Sequence, residues 1–101
     1  MSQNSIKLST EYGDLLVARS ATVGAVTLNA IAGQCNLAAA ATTVTVTNSQ
    51  CRSDSLILAT LATADANATV IKSAVAGSGS FVITVVTAPA ANVAINFLII
   101  N

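Results

Sequence analysis

Few side chains in this sequence can do chemistry, and their spacing narrows the choice further. The carboxylates are Glu11, Asp14, Asp54 and Asp65, and histidine is absent. Histidine is the usual general base near neutral pH and the commonest metal ligand, so both roles lack their ordinary occupant. Glu11 and Asp14 are near enough in sequence to approach each other, but a solvated leading arm accounts for them. Cys35 and Cys51 match no zinc-ligand spacing. They can form a disulfide if neighbouring strands bring them together, or stay reduced as two small buried hydrophobes. Arg52-Ser53-Asp54 reads as a capped loop, with a polar contact point on a partner as the functional alternative. Lys72 has no activating neighbour and reads as a guard on a wet face or sheet edge. Gly77-Ser78-Gly79-Ser80 lacks the lysine and helix of a phosphate-binding loop, so it is a hairpin connection. Asn67-Ala68-Thr69 spells a glycosylation acceptor, which carries little weight without a secretory signal. These residues lead us to expect no enzyme, no metal, no cofactor and no small-molecule substrate.

The surroundings of these residues are unusually short of charge. Charged side chains make up 8% of the 101 residues and apolar ones 53%, against roughly a quarter charged in ordinary soluble domains. No charge falls between Ser20 and Cys51, or between Ser73 and Asn101. Four basic and four acidic residues cancel, which leaves no basic patch to neutralise phosphates. One Tyr and two Phe make no stacking platform for bases. Polar Thr, Asn and Gln residues interrupt every apolar run, so no stretch approaches the roughly 20 residues of a spanning helix. Nucleic acid and membrane are therefore not expected partners. Met1 to Ser5 has neither a basic n-region nor an apolar core, so no secretory signal is expected. A small domain has much surface for its volume. One so sparsely charged should hide part of that surface against copies of itself or a larger assembly.

Alternation with a period of two predicts the elements. In Thr43-Val44-Thr45-Val46-Thr47 the valines share one face and the threonines the other. Phe81, Ile83 and Val85 line one face of a later run, and Val93, Ile95, Phe97 and Ile99 one face of the last. Further strands are expected over Asp14–Ala18, Ala25–Asn29, Gln34–Leu37, Ser55–Ala62 and Thr69–Ala76. Turn residues at Ala32-Gly33, Asn48-Ser49, Asp65-Ala66-Asn67, the Gly77–Ser80 run and Ala88–Asn92 separate them. The expectation is one all-β domain, an antiparallel sandwich or jelly roll of about seven or eight short strands. Residues 1–24 read as an N-terminal arm or leading strands, and residues 25–101 as the sandwich domain. The alanines at 38–41 could form at most one helical turn. Leu56–Leu61 and the last strand are apolar on both faces, where an antiparallel sandwich strand should have one wet face. With no amphipathic helix to cover the second face, Ile57, Leu61, Leu98 and Ile100 become candidates for a protomer interface.

Four segments also carry a resemblance: Val44-Thr45-Val46-Thr47-Asn48; Asp54 to Thr60; Gly79-Ser80-Phe81-Val82-Ile83-Thr84; and Val93 to Asn101. With the lead-in Gly24 to Asn29 and Ala32-Gly33, this pattern resembles a small β-sandwich domain of tailed-phage virion proteins. The resemblance implies a homotrimer that decorates capsids or tips tail and head fibres. It suggests a capsid decoration (cement) protein, made in the bacterial cytoplasm and placed on the outer surface of the virion head. There it would bridge neighbouring copies of the major capsid protein; a host-contacting fibre knob is the alternative. Under that reading Lys7, Glu11, Tyr12, Asp14 and Arg19 of the arm are the candidate capsid contacts.

Overall fold

Residues whose apolar and hydroxyl side chains alternate cannot bury both faces of a strand, and here they form two sheets that share one dry interior. A computed structural model describes residues 17–101. Eight strands follow in order: β1 Ala18–Val23, β2 Val26–Thr27, β3 Ala32–Leu37, β4 Thr43–Thr47, β5 Leu56–Leu61, β6 Ile71–Gly77, β7 Ser80–Val85 and β8 Val93–Ile100. One sheet has the order β1-β3-β8-β5 and the other β2-β4-β7-β6. This is the all-β sandwich that the alternation predicts. β4 and β8 fall on their expected residues, and most other strands shift by one to three positions.

The pairing is more mixed than an antiparallel reading allows. β3–β8, β5–β8, β4–β7 and β6–β7 are antiparallel. The edge pairs β1–β3 and β2–β4 are parallel. Ala18–Val23 thus belongs to the first sheet as its edge strand. Its side chains are mostly exposed, which explains why no apolar alternation marks it. The alanines after β3 form a β-turn rather than a helical turn: Ala41 N–H donates to the Ala38 carbonyl at 3.1 Å. Ala40 there takes a left-handed φ of 66°.

The interior is built by the four central strands. Cys35 and Leu37 of β3, Val44 and Val46 of β4, Phe81, Ile83 and Val85 of β7, and Val93, Ile95, Phe97 and Ile99 of β8 form one buried cluster. The Phe81 and Phe97 rings meet across the two sheets at 4.9 Å, tilted by 59°, a geometry that suits the aromatic quadrupole. Ser78-Gly79 closes the β6–β7 hairpin, with Gly79 at φ 80°.

The loop from 62 to 70, which carries the chain from one sheet to the other, is organised by a single carboxylate. Asp65 Oδ2 accepts the N–H groups of Asn67 and Ala68 at 2.9 Å each, and that of Ala90 at 3.3 Å. These donors favour the ionised form and hold its pKa below the usual carboxylate value. A depressed folded-state pKa gives stability that is present above the unfolded value, about 4, and lost as pH falls through the folded one. Denaturant midpoints measured between pH 6 and pH 2.5 should therefore fall less steeply in Asp65→Asn, whose amide oxygen still accepts but does not titrate. Equal slopes in the two proteins would show that these bonds do not persist in solution.

Candidate interaction surface

No charged side chain lies on any of the four central strands; Arg19 and Lys72 sit on edge strands, and Arg52, Asp54 and Asp65 in loops. The faces those strands turn outward are therefore neutral, but the two sheets use different chemistry. The second sheet shows Thr43, Thr45 and Thr47 beside Val82 and Thr84, a hydroxyl-rich face. The outer face of the first sheet is divided along its length.

One end of that face is a polar row across all four strands. Gln34 Nε2 donates to Asn96 Oδ1 at 2.9 Å, and Asn96 Nδ2 donates to Thr60 Oγ1 at 3.2 Å. Asn36 Nδ2 reaches the β1 carbonyls of Ser20 and Thr22 at 2.7 and 3.1 Å. Cross-strand amide pairs of this kind fix register, and they consume the polar groups they use. Arg19 is exposed on β1 in register with Gln34.

The other end is apolar. Leu58 pairs with Leu98, and Leu56 with Ile100. Leu56 is 63% exposed, Leu58 54% and Ile100 40%, with Leu98 half-buried between them. Four large aliphatic side chains thus adjoin on one neutral surface. Nearby, Ser55 Oγ donates to Asn101 Oδ1, and Asn101 Nδ2 donates to the Gln50 carbonyl at 3.0 Å, tying the end of β8 to the loop before β5.

Of the four side chains expected at an interface, Leu98 and Ile100 lie on this face. Ile57 and Leu61 do not: they turn inward and pack against the core. Leu56 and Leu58 take their place. The reason lies in Phe97, which projects inward from β8 opposite the small Ala59, so Ile57 and Leu61, two residues either side, must follow Ala59 inside. The mark was present in the sequence, because Thr60 shares its face with Leu56 and Leu58 and labels it as the wet one. Lys7, Glu11, Tyr12 and Asp14 lie outside the described residues.

No bond joins the two cysteines; both are free and buried. Cys35 projects into the core from β3, where burial pushes its thiol up to about 11, far from the thiolate a reactive cysteine needs. The Cys51 thiol instead points at the Ser80 carbonyl, 3.3 Å away. The Arg52–Ser55 segment is a closed turn: Ser55 N–H donates to the Arg52 carbonyl at 3.0 Å, and Arg52 N–H to Ser55 Oγ at 2.9 Å. A shallow depression lined by Leu61, Thr63, Asp65 and Thr69 lies over the 62–70 loop, and its one carboxylate already accepts three backbone donors. Among the described residues no three His, Cys, Asp or Glu side chains come together as metal ligands.

What this geometry offers is an outer sheet face with exposed apolar side chains at its uncharged end. Neither the family models, nor the curated proteins, nor the solved structures contain a match to this chain.

Proposed function

We propose that this chain is a capsid decoration protein of a tailed phage, which binds the outer surface of the assembled head and bridges neighbouring shell subunits. The observation that carries the proposal is the cluster of Leu56, Leu58, Leu98 and Ile100 at the uncharged end of an outer sheet face. Contiguous apolar surface of this kind marks interaction sites on small domains. The sequence resemblance supplies the identity of the shell. Its action is mechanical: apolar burial at a junction between subunits ties them together, and many copies on a symmetric shell add by avidity. Each half-exposed leucine removed from water contributes on the order of 1 kcal/mol, before the costs of association.

Undecorated heads mixed with the purified protein provide the test. Native protein should co-sediment with the heads and raise the temperature at which they release DNA. Leu58→Glu combined with Leu98→Glu places two carboxylates on the patch without touching the interior, and should weaken binding by at least about tenfold. Unchanged binding of that folded variant, or no binding by the native protein, overturns the proposal.

A further inference from the structure

The four sheet edges of this sandwich are not alike. β1 carries Arg19 and a break in register between Arg19 and Val23. β2 is two residues long. β6 carries Lys72 at a break in register between Ile71 and Ser73. Charges, irregular pairing and brevity are the devices by which proteins stop sheet edges from recruiting further strands. β5 has none of them. Leu56–Leu61 is six residues long, without charge, proline or glycine, and runs in unbroken register against β8.

Its free backbone groups can be assigned. Ala62 N–H donates to the Ala94 carbonyl at 2.8 Å, continuing the β5–β8 ladder. Antiparallel strands alternate, so Leu56, Leu58 and Thr60 turn both backbone groups toward β8. Ile57, Ala59 and Leu61 turn theirs toward the open side. Among the described residues no strand pairs with that side.

We infer that β5 is a self-association edge, and that two copies of this chain join antiparallel through it about a twofold axis. The occupant that fits is β5 itself. It is extended and neutral, and with Ala59 facing its counterpart, Ile57 falls opposite Leu61 of the second copy. In that register all three outward-turned residues exchange both backbone bonds, and like faces stay on like sides. The contact is isologous and therefore closes, and the blunted remaining edges stop growth at two. This is a twofold assembly, in place of the trimer that the resemblance implies. The seam is about 20 Å long and falls short of the roughly 800 Å² per partner of a standard interface, so the dimer forms at high local concentration. On the resulting continuous eight-stranded sheet each Leu58 falls opposite Thr60 of the second copy, so the two apolar patches meet diagonally at Leu58. The inference does not rest on capsid binding.

Residue-resolved amide exchange of the full chain over a range of concentrations, with sedimentation equilibrium on the same samples, tests it. Protection of Ile57, Ala59 and Leu61 should rise at least tenfold in step with dimer mass, while Leu56, Leu58 and Thr60 stay protected throughout. Ala59→Pro removes an N–H that serves only the open side, a position where an edge strand tolerates proline. It should remain monomeric with Leu56, Leu58 and Thr60 still protected. If that variant fails to fold, the exchange series on the native chain decides alone. Free exchange of the three amides at the highest concentration overturns the inference. So does full protection in the monomer, which would mean another segment of the chain covers the edge, and so does a trimer mass.

Discussion

Gly33→Ala should destabilise the protein by about 3 kcal/mol, the upper part of the usual cost of overpacking a core. Gly33 lies opposite Phe97 on the inward face of the first sheet. A methyl group there would come within 2.5 Å of Phe97 Cζ, 2.8 Å of Phe97 Cε2 and 2.8 Å of the Ala18 carbonyl oxygen. The ring is itself held in the core, buried and packed against Phe81 with centroids 4.9 Å apart. The Ala18 carbonyl belongs to the backbone of β1, so moving it disturbs the β1–β3 pairing as well. For a domain of this size such a loss lowers the melting temperature by on the order of 15 °C. Phe97→Leu in the Gly33→Ala background should recover part of the loss, since the shorter side chain vacates the space the methyl needs; neighbours in contact are not additive. A cost below about 1 kcal/mol for Gly33→Ala would mean the ring does not sit over this glycine.

This contact shows where the sequence speaks and where it is silent. Gly33 reads as turn punctuation beside Ala32, yet it lies inside β3, where its missing side chain makes room for a ring that arrives from sixty-four positions later. Nothing local in Ala32-Gly33-Gln34 announces that partner. The strongly periodic strands β4, β7 and β8 are legible because each has one plainly apolar face, and burying that face fixes orientation and register together. β5 is legible as a strand, but both its faces carry large apolar residues, so Thr60 is the one mark of which face is wet. β1 is misplaced for the opposite reason: it has little to bury, and the strand expected over Asp14–Ala18 meets it only at Ala18, residues 14–16 lying outside the described ones.

The candidate surface inherits the same asymmetry. Leu98 and Ile100 could be placed outside from the sequence, because the inward set Val93, Ile95, Phe97 and Ile99 is unmistakable and the remaining residues of β8 must point away from it. Their neighbours on β5 have only Thr60 to mark their face in the sequence, and the pairing of Leu58 with Leu98 and Leu56 with Ile100 places them beside β8. The scarcity of charge, by contrast, translated directly: the edge strands and loops hold Arg19, Arg52, Asp54, Asp65 and Lys72, and the central strands stay neutral. The uncharged outward faces of the central strands and an unguarded β5 edge are thus two consequences of one compositional fact.

The second large effect is expected at Asn48, a polar side chain with no exposure at all. Its Nδ2 donates to the Ala30 carbonyl at 2.6 Å, and its Oδ1 accepts the Gln50 N–H at 2.9 Å. Its own N–H donates to the Gly79 carbonyl, and its carbonyl accepts the Cys51 N–H. One residue thereby joins the loop before β3, the turn after β4 and the β6–β7 hairpin. Truncation in Asn48→Ala leaves buried groups without partners and should cost about 2–3 kcal/mol, read as a shift in the urea midpoint. Asn48→Asp is the more discriminating variant. At neutral pH it sets a carboxylate against the Ala30 carbonyl without solvent, and should be less stable than Asn48→Ala. Burial raises the carboxyl pKa in the folded state above its unfolded value of about 4. Between those two values the folded state binds the extra proton, so stability returns as pH falls and is lost as pH rises through the folded pKa. The protonated acid can then donate to Ala30 as the amide does. Asn48→Asp should therefore gain stability on acidification from pH 7 toward pH 4, opposite in sign to the loss that protonating Asp65 produces. A variant whose stability is flat across that range would show that the Asn48 side chain is not sealed inside the fold.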